Sequence, residues 1–280
     1  NILAAKVVTL EPEPRVLILR GDAAQKVNRA YGTTGIITEL EMPLAPRWAW
    51  QDVIVAFDDF YTALTCAQAL GRADGITKKL VSPIAWPLPQ YFGPMAPHCP
   101  EDKAILCAMI AEPSMESFAD IVTAHGGAVT WRQQTEEGPG QVPLYEYTWN
   151  HTTLQMLKAD RGVTYLQCLY PHDRLIEAVR VTSEAFPDEL IPHCEIIRFG
   201  GHLSASSLPV IRYTTDERLQ EIIDFHEANG VMVANPHVVT LEEGSRHKRA
   251  EADQMGFKAE VDPYGLLNPG KMATYRAVKA

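Results

Sequence analysis

Asp262-Pro263-Tyr264-Gly265-Leu266-Leu267-Asn268-Pro269-Gly270-Lys271-Met272 is the stretch on which the reading of this chain turns, and its partner lies far upstream at Tyr31-Gly32-Thr33-Thr34-Gly35-Ile36-Ile37-Thr38-Glu39. The first is two Pro-Gly punctuated turns around an apolar pair. Prolines fix φ and glycines free the backbone, so Asn268 and Lys271 are held out as donors on a rigid loop, a surface suited to a phosphate or a polar ring edge. A chain end tucked under by two turns accounts for the same residues. In the upstream stretch, small residues lead into a β-branched run, which lets backbone N–H groups approach a ligand before a strand begins.

Gly32 to Glu39 resembles the "G-(S/T)-x-G-(I/V)-(I/V)-T" segment of the FAD-linked oxidases related to vanillyl-alcohol oxidase, glycolate oxidase, D-lactate dehydrogenase and cytokinin dehydrogenase. Asp262 to Met272 resembles their carboxy-terminal "D-P-x-G-(I/L)-L-(N/S)-P-G-(K/Q)". The two motifs stand in the family's order at opposite ends of the chain. The family's glycine-rich diphosphate loop would lie upstream of the first motif, and the chain opens at Asn1 inside a strand-like run, so the expectation is a carboxy-terminal portion.

The composition fits a folded chain. At 280 residues with 46% apolar content there is ample material for a core. A net charge of −10 argues against nucleic acid or an anionic membrane as partner, since an acidic surface gains nothing by counterion release there. No apolar run approaches the ~20 residues needed to span a bilayer, and no signal peptide is visible. Five scattered cysteines, Cys66, Cys99, Cys107, Cys168 and Cys194, form no C-x-x-C pair, which favours reduced thiols and a cytoplasmic setting.

Nine histidines show no metal-ligand spacing. Relatives acting on 2-hydroxy acids often carry "G-H-x-G-D-G-N" and a later "E-H-G". Here Phe199-Gly200-Gly201-His202-Leu203-Ser204-Ala205-Ser206-Ser207 lacks the Asp-Gly-Asn, and Asn235-Pro236-His237 stands in the second place. No metal is therefore expected.

Along the chain, Ala5 to Leu10 and Val16 to Leu19 read as strands, Ala23 to Tyr31 as a short helix and Ile36 to Leu44 as a strand. Beyond the Pro43 and Pro46 boundary come a strand at Asp52 to Phe57, a helix at Asp59 to Leu70, and extended runs between Thr77 and Leu88. A buried strand at Ala104 to Ile110, a helix at Met115 to Ala124, a strand at Ala128 to Arg132 and an exposed loop at Gln133 to Val142 follow. The second half repeats the rhythm: strand Val163 to Tyr170, helix Arg174 to Glu184, strands Ile191 to Phe199 and Pro209 to Tyr213, helix Asp216 to Ala228, strand Val231 to Ala234 and a polar helix near Glu242 to Gly256. This pattern predicts an α+β fold with a ferredoxin-like antiparallel sheet. Residues 1–46 and 257–280 are expected to form part of an FAD-binding domain, and 47–256 a cap shaping the substrate side.

The resemblance implies FAD as cofactor, touched by Gly32, Thr34, Gly35, Ile36 and Ile37 on its adenine or ribityl side and by Asn268, Gly270 and Lys271 on its flavin side. It implies oxidation of a small alcohol or hydroxy acid by hydride transfer to the flavin, followed by an unnamed electron acceptor. His237 matches the position of the family's Glu-His-Gly histidine and would take the substrate's proton, with Asn235 orienting it. Arg198 and Arg212, on neighbouring expected strands, would grip a substrate carboxylate, although surface ion pairs account for both equally. Tyr145 to Leu154, aromatic and then polar, reads as a wall over a ligand or as an ordinary strand and helix cap. A cofactor-free α+β binding module remains the alternative, and strands lacking neighbours would invite self-pairing into homo-oligomers.

Overall fold

A computed structural model describes residues 2–135, 142–243 and 252–275. The chain divides into two compact units, Asn1–Arg47 with Ala234–Ala280, and Trp48–Val233.

The first unit opens with three strands, β1 (Ala4–Val8), β2 (Val16–Arg20) and β3 (Ile36–Glu41), in the antiparallel order β2-β1-β3. The helix expected over Ala23 to Tyr31 is instead a 3-10 turn, Gly21–Lys26, followed by a reversal in which Arg29 and Tyr31 adopt φ of 54° and 52°. The cause is local: Thr33 returns both its N–H, at 3.0 Å, and its hydroxyl to the Ala30 carbonyl, so the chain bends where an α-helix would continue.

The second unit begins with β4 (Trp50–Phe57), α1 (Phe60–Arg72), β5 (Lys78–Ile84), β6 (Ala104–Ala111), α2 (Met115–Ala124) and β7 (Ala128–Gln134), whose antiparallel sheet runs β5-β6-β4-β7. That is the split βαβ arrangement of a ferredoxin-like layer. Asp59 starts α1, its carboxylate accepting the N–H groups of Tyr61 and Thr62 at 2.8 and 2.9 Å. The stripe Phe60, Ala63, Leu64, Ala67 and Leu70 is buried, as its i, i+3, i+4, i+7 spacing predicts. Every residue of β6 is buried, which explains a run with no polar alternation.

Next come α3 (Asn150–Leu157), β8 (Val163–Tyr165), β9 (Gln167–Leu169), α4 (Leu175–Glu184), β10 (Leu190–Ile191), β11 (Cys194–Phe199), β12 (His202–Ser207), β13 (Val210–Arg212), α5 (Asp216–Ala228) and β14 (Met232–Ala234). The sheet β11-β12-β9-β14 uses the same order as the first, now with α4 and α5 as its crossovers, so the ferredoxin-like layer occurs twice. The two layers meet edge to edge where β5 ends and β11 begins: Ile84 forms an isolated antiparallel bridge with His193, the residue before β11, and Ala85 N–H donates to Pro192 O at 3.0 Å. A small sheet, β10-β13-β8, completes the unit.

Three expectations change here. The single strand Val163 to Tyr170 is two, β8 and β9, in different sheets, with wholly buried Leu166 at the break. The single strand Ile191 to Phe199 is interrupted after Ile191, and Pro192 has no N–H to continue a ladder. Strand β12 was not foreseen. It is the return arm of a hairpin at Gly200-Gly201, with φ of 57° and 84° and Phe199 opposite His202, a two-residue turn that only glycine-like residues enter cheaply. Of the exposed loop expected at Gln133 to Val142, residues 136–141 lie outside those described.

The chain returns to the first unit at Ala234 rather than near residue 257. The helix expected at Glu242 to Gly256 stands later, as α6 (Ala252–Val261), and residues 244–251 lie outside those described. It runs past Gly256 because Phe257 and Val261 form the small core of this unit with Ala5, Val7 and Val27, and Leu17 and Leu19 pack against it. Among the described residues no helix is long and apolar enough to cross a membrane.

Candidate functional site

The two motif turns touch. Asn268 Nδ2 donates to the Tyr31 carbonyl at 2.6 Å, and a Cβ on Gly32 would lie 2.8 Å from that same nitrogen. Gly32 is thus the residue that lets the terminal turn close on the upstream one, with φ of +66° besides. Gly35, at φ +100°, has the same kind of role one turn on, since a Cβ there would stand 2.4 Å from Val7 Cγ1 on β1. Thr33 and Thr34 are buried, whereas Ile36 and Ile37 are exposed.

A buried carboxylate shapes the terminal turn. Asp262 accepts from Leu266 N–H at 2.9 Å, Leu267 N–H at 2.8 Å and the Lys258 ammonium, one helical turn earlier on α6. Lys258 is itself 2% exposed, donates to Leu267 O at 3.1 Å and lies 5.4 Å from the Tyr275 ring centroid. Burial alone would raise the Asp262 pKa, but Lys258 and the two amides outweigh it and hold the carboxyl below its ordinary range. Asn268 and Gly270 are exposed on this scaffold and Lys271 is half-buried. A Cβ on Gly270 would meet nothing within 4 Å, so the backbone there is open to approach.

A second carboxylate ties in the segment carrying His237. Glu242 accepts from Ala273 N–H at 3.0 Å, Thr274 N–H at 3.2 Å and the Thr274 hydroxyl at 2.8 Å, and Leu241 N–H donates to Lys271 O at 2.8 Å. Burial pushes the Glu242 pKa up, and these donors more than reverse it. His237 is exposed. Asn235 Oδ1 accepts the His237 backbone N–H at 2.9 Å, an Asx turn that fixes the backbone beneath the imidazole. Sequence reasoning passed over Lys258, Asp262 and Glu242 as a set. The i, i+4 spacing of Lys258 and Asp262 was a readable signal, but Glu242 reaches residues 31 and 32 positions away, and no spacing rule reveals that.

In the second unit, Arg198 on β11 pairs with Asp74, and Arg212 on β13 pairs with Asp160 at 3.1 Å. They stand in different sheets, Arg198 on an exposed carboxylate and Arg212 on a half-buried one. The Tyr145 to Leu154 segment is a 3-10 turn, Leu144–Tyr147, followed by α3, where a strand had been expected. Tyr145, Trp149, Asn150 and His151 line a cavity of about 370 Å³ with Lys79. Trp149 adopts φ of 56° and donates its N–H at 2.8 Å to Glu195, which also holds Ser82 and His193 at 2.9 Å each. Among the described residues no group of three or more histidines, cysteines or carboxylates is placed to hold a metal ion.

Against solved structures, the chain resembles alkyldihydroxyacetonephosphate synthase, with a TM-score of 0.60 and 14% identity over 95% of this chain and 53% of that one. It also resembles the BBE-like 1 protein of Physcomitrella patens, with a TM-score of 0.56 and 11% identity over 97% of this chain and 65% of that one. At these identities the likeness is one of fold. The chain spans about half the length of the synthase. No protein-family model matches the sequence, and no curated protein does so at a significant level.

Proposed function

We propose that this chain works as part of an FAD-dependent oxidoreductase that oxidises a small alcohol or hydroxy acid. The observation that supports this best is the closure of the two motif turns through Asn268 and Tyr31, which leaves an exposed, glycine-bearing backbone beside an amide and a cation. Those residues fit one side of a flavin dinucleotide: the open backbone at Gly270 admits close approach, and Asn268 and Lys271 offer polar and cationic contacts. Ile36 and Ile37 present an apolar surface, while Gly32, Thr34 and Gly35 hold the turn in shape. FAD, when bound, supplies the acceptor for the hydride leaving the substrate carbon.

In this reading the chain's own residues bind, orient and move a proton. Lys271 favours negative charge on the cofactor by simple electrostatics. The exposed imidazole of His237 takes the substrate hydroxyl proton at a ring nitrogen, on a turn whose backbone Asn235 holds. Arg198 or Arg212 would grip a substrate carboxylate only by leaving Asp74 or Asp160. The acidic net charge suits a small-molecule partner and disfavours nucleic acid.

One observation favours a cofactor-free binding module instead: the steric demands of Gly32 and Gly35 are both met by the chain's own side chains, Asn268 and Val7. An absorbance spectrum of the product of the whole gene separates the two readings. Flavin bands at one equivalent support the oxidoreductase, and a colourless protein that does not take up added FAD sinks it.

A further inference from the structure

A cavity of about 510 Å³ in the second unit lies between the start of α1, the end of α4 and β10. Trp86 and Tyr61 stand among its walls, and Glu184, Asp188 and Arg212 also line it. Ser183 lines it too, is 6% exposed, and its Oγ has no hydrogen-bond partner among the described residues. A serine in a helix ordinarily returns its hydroxyl to the carbonyl four residues back. Here Thr182 bonds that carbonyl, Val179 O, at 3.2 Å, as well as Ala178 O at 2.8 Å. The Ser183 hydroxyl is therefore a buried polar group left with unmet hydrogen-bonding capacity in a cavity wall.

The charges around it have a sign. Arg212 is compensated by Asp160 at 3.1 Å, and Glu184 lies 3.5 Å from Arg180. Asp188 is exposed and makes no ion pair or hydrogen bond among the described residues. One net negative charge therefore faces the cavity, beside indole and phenol rings that favour a cation over their faces. Tyr61 already accepts one: the Arg180 guanidinium stacks 3.9 Å from its ring centroid. We infer that this cavity binds a small organic amine, its apolar body against Trp86 and Tyr61, its ammonium on Asp188 and the Ser183 hydroxyl. The inference does not rest on the flavin reading, because every group it uses belongs to Trp48–Val233.

Benzylamine and its anionic counterpart benzoate are suitable probes, followed by calorimetry and by tryptophan fluorescence, with Trp86→Phe identifying the reporter. Benzylamine should bind saturably, and benzoate at least about tenfold more weakly because a like charge would face Asp188. Asp188→Asn, at an exposed site that leaves the fold intact, should weaken benzylamine by about two- to fivefold. Ser183→Ala should also weaken benzylamine while leaving the melting temperature unchanged or raised, since it deletes an unsatisfied hydroxyl. The inference is overturned by absence of saturable benzylamine binding, by benzoate binding as tightly, or by an Asp188→Asn protein that binds benzylamine like the parent.

Discussion

Asp262→Ala tests what holds the terminal turn. Asp262 is 0% exposed, and its carboxylate is the acceptor for two backbone N–H groups and for the ammonium of Lys258, itself 2% exposed. Removing the carboxylate leaves a buried charge with, among the described residues, the Leu267 carbonyl and a tyrosine ring nearby, a change worth about 3–5 kcal/mol. Asp262→Asn keeps an acceptor of the same shape and should cost less. Adding Lys258→Met to Asp262→Asn should recover part of the loss, because the stranded charge is then gone. Hydrogen exchange at the Leu266 and Leu267 amides is the assay, since two compact units make a single unfolding midpoint ambiguous. Asp262→Ala should speed exchange there by about two orders of magnitude or more. Exchange within a few-fold of the parent would refute the account. The folded pKa of Asp262 lies below the ordinary 3.8, so the ion pair's contribution is fully present above that value and is lost as pH falls through the lower, folded one.

Four further outcomes are expected. Asn268→Ala with Lys271→Ala, in the product of the whole gene, should weaken FAD retention by about tenfold or more, as loss of a charged hydrogen bond implies, and unchanged flavin content would remove both residues from the site. His237→Asn should slow substrate reduction of the flavin by roughly 10²–10⁴-fold with flavin content preserved; a rate within a few-fold of the parent would return His237 to a structural turn. Gly35→Ala forces a Cβ to 2.4 Å from Val7 Cγ1 at φ +100° and should destabilise the first unit by about 1–3 kcal/mol, with partial rescue by Val7→Ala as the check on mechanism. All five cysteines are buried, and burial pushes the Cys66, Cys99 and Cys194 thiols up to about 12, so a thiol reagent at neutral pH should label none in the native chain and all five after unfolding.

The two turns were legible because their signals are short: Pro, Gly and β-branched residues at fixed offsets dictate backbone shape whatever surrounds them. The helices α1, α2 and α5 were legible for a similar reason, each carrying a cap or an apolar stripe within its own span. What lay beyond reach was set at long range. That α6 continues past Gly256 depends on Ala5 and Val7 waiting for Phe257 and Val261, over 240 residues away in sequence. That Arg198 and Arg212 face Asp74 and Asp160 depends on which sheet each strand joins, and Pro192 decides that in a way no periodicity records. Strand β12 is the exception: Gly200-Gly201 between β-prone arms is a short-range hairpin signal that went unread beside the motif it displaced.

The bridge beside β5 and β11 bears on how two sheets in one chain manage their open edges. Each ferredoxin-like layer ends on one side in its second strand, and that open edge would seek any extended backbone in a crowded solution. Here the two edges meet at Ile84 and His193, and β5 also carries Lys78, Lys79 and Pro83 along its rim, residues that blunt the rest of that edge against a foreign strand. Sever the connection, and two half-sized modules should still find one another as an edge-paired complex.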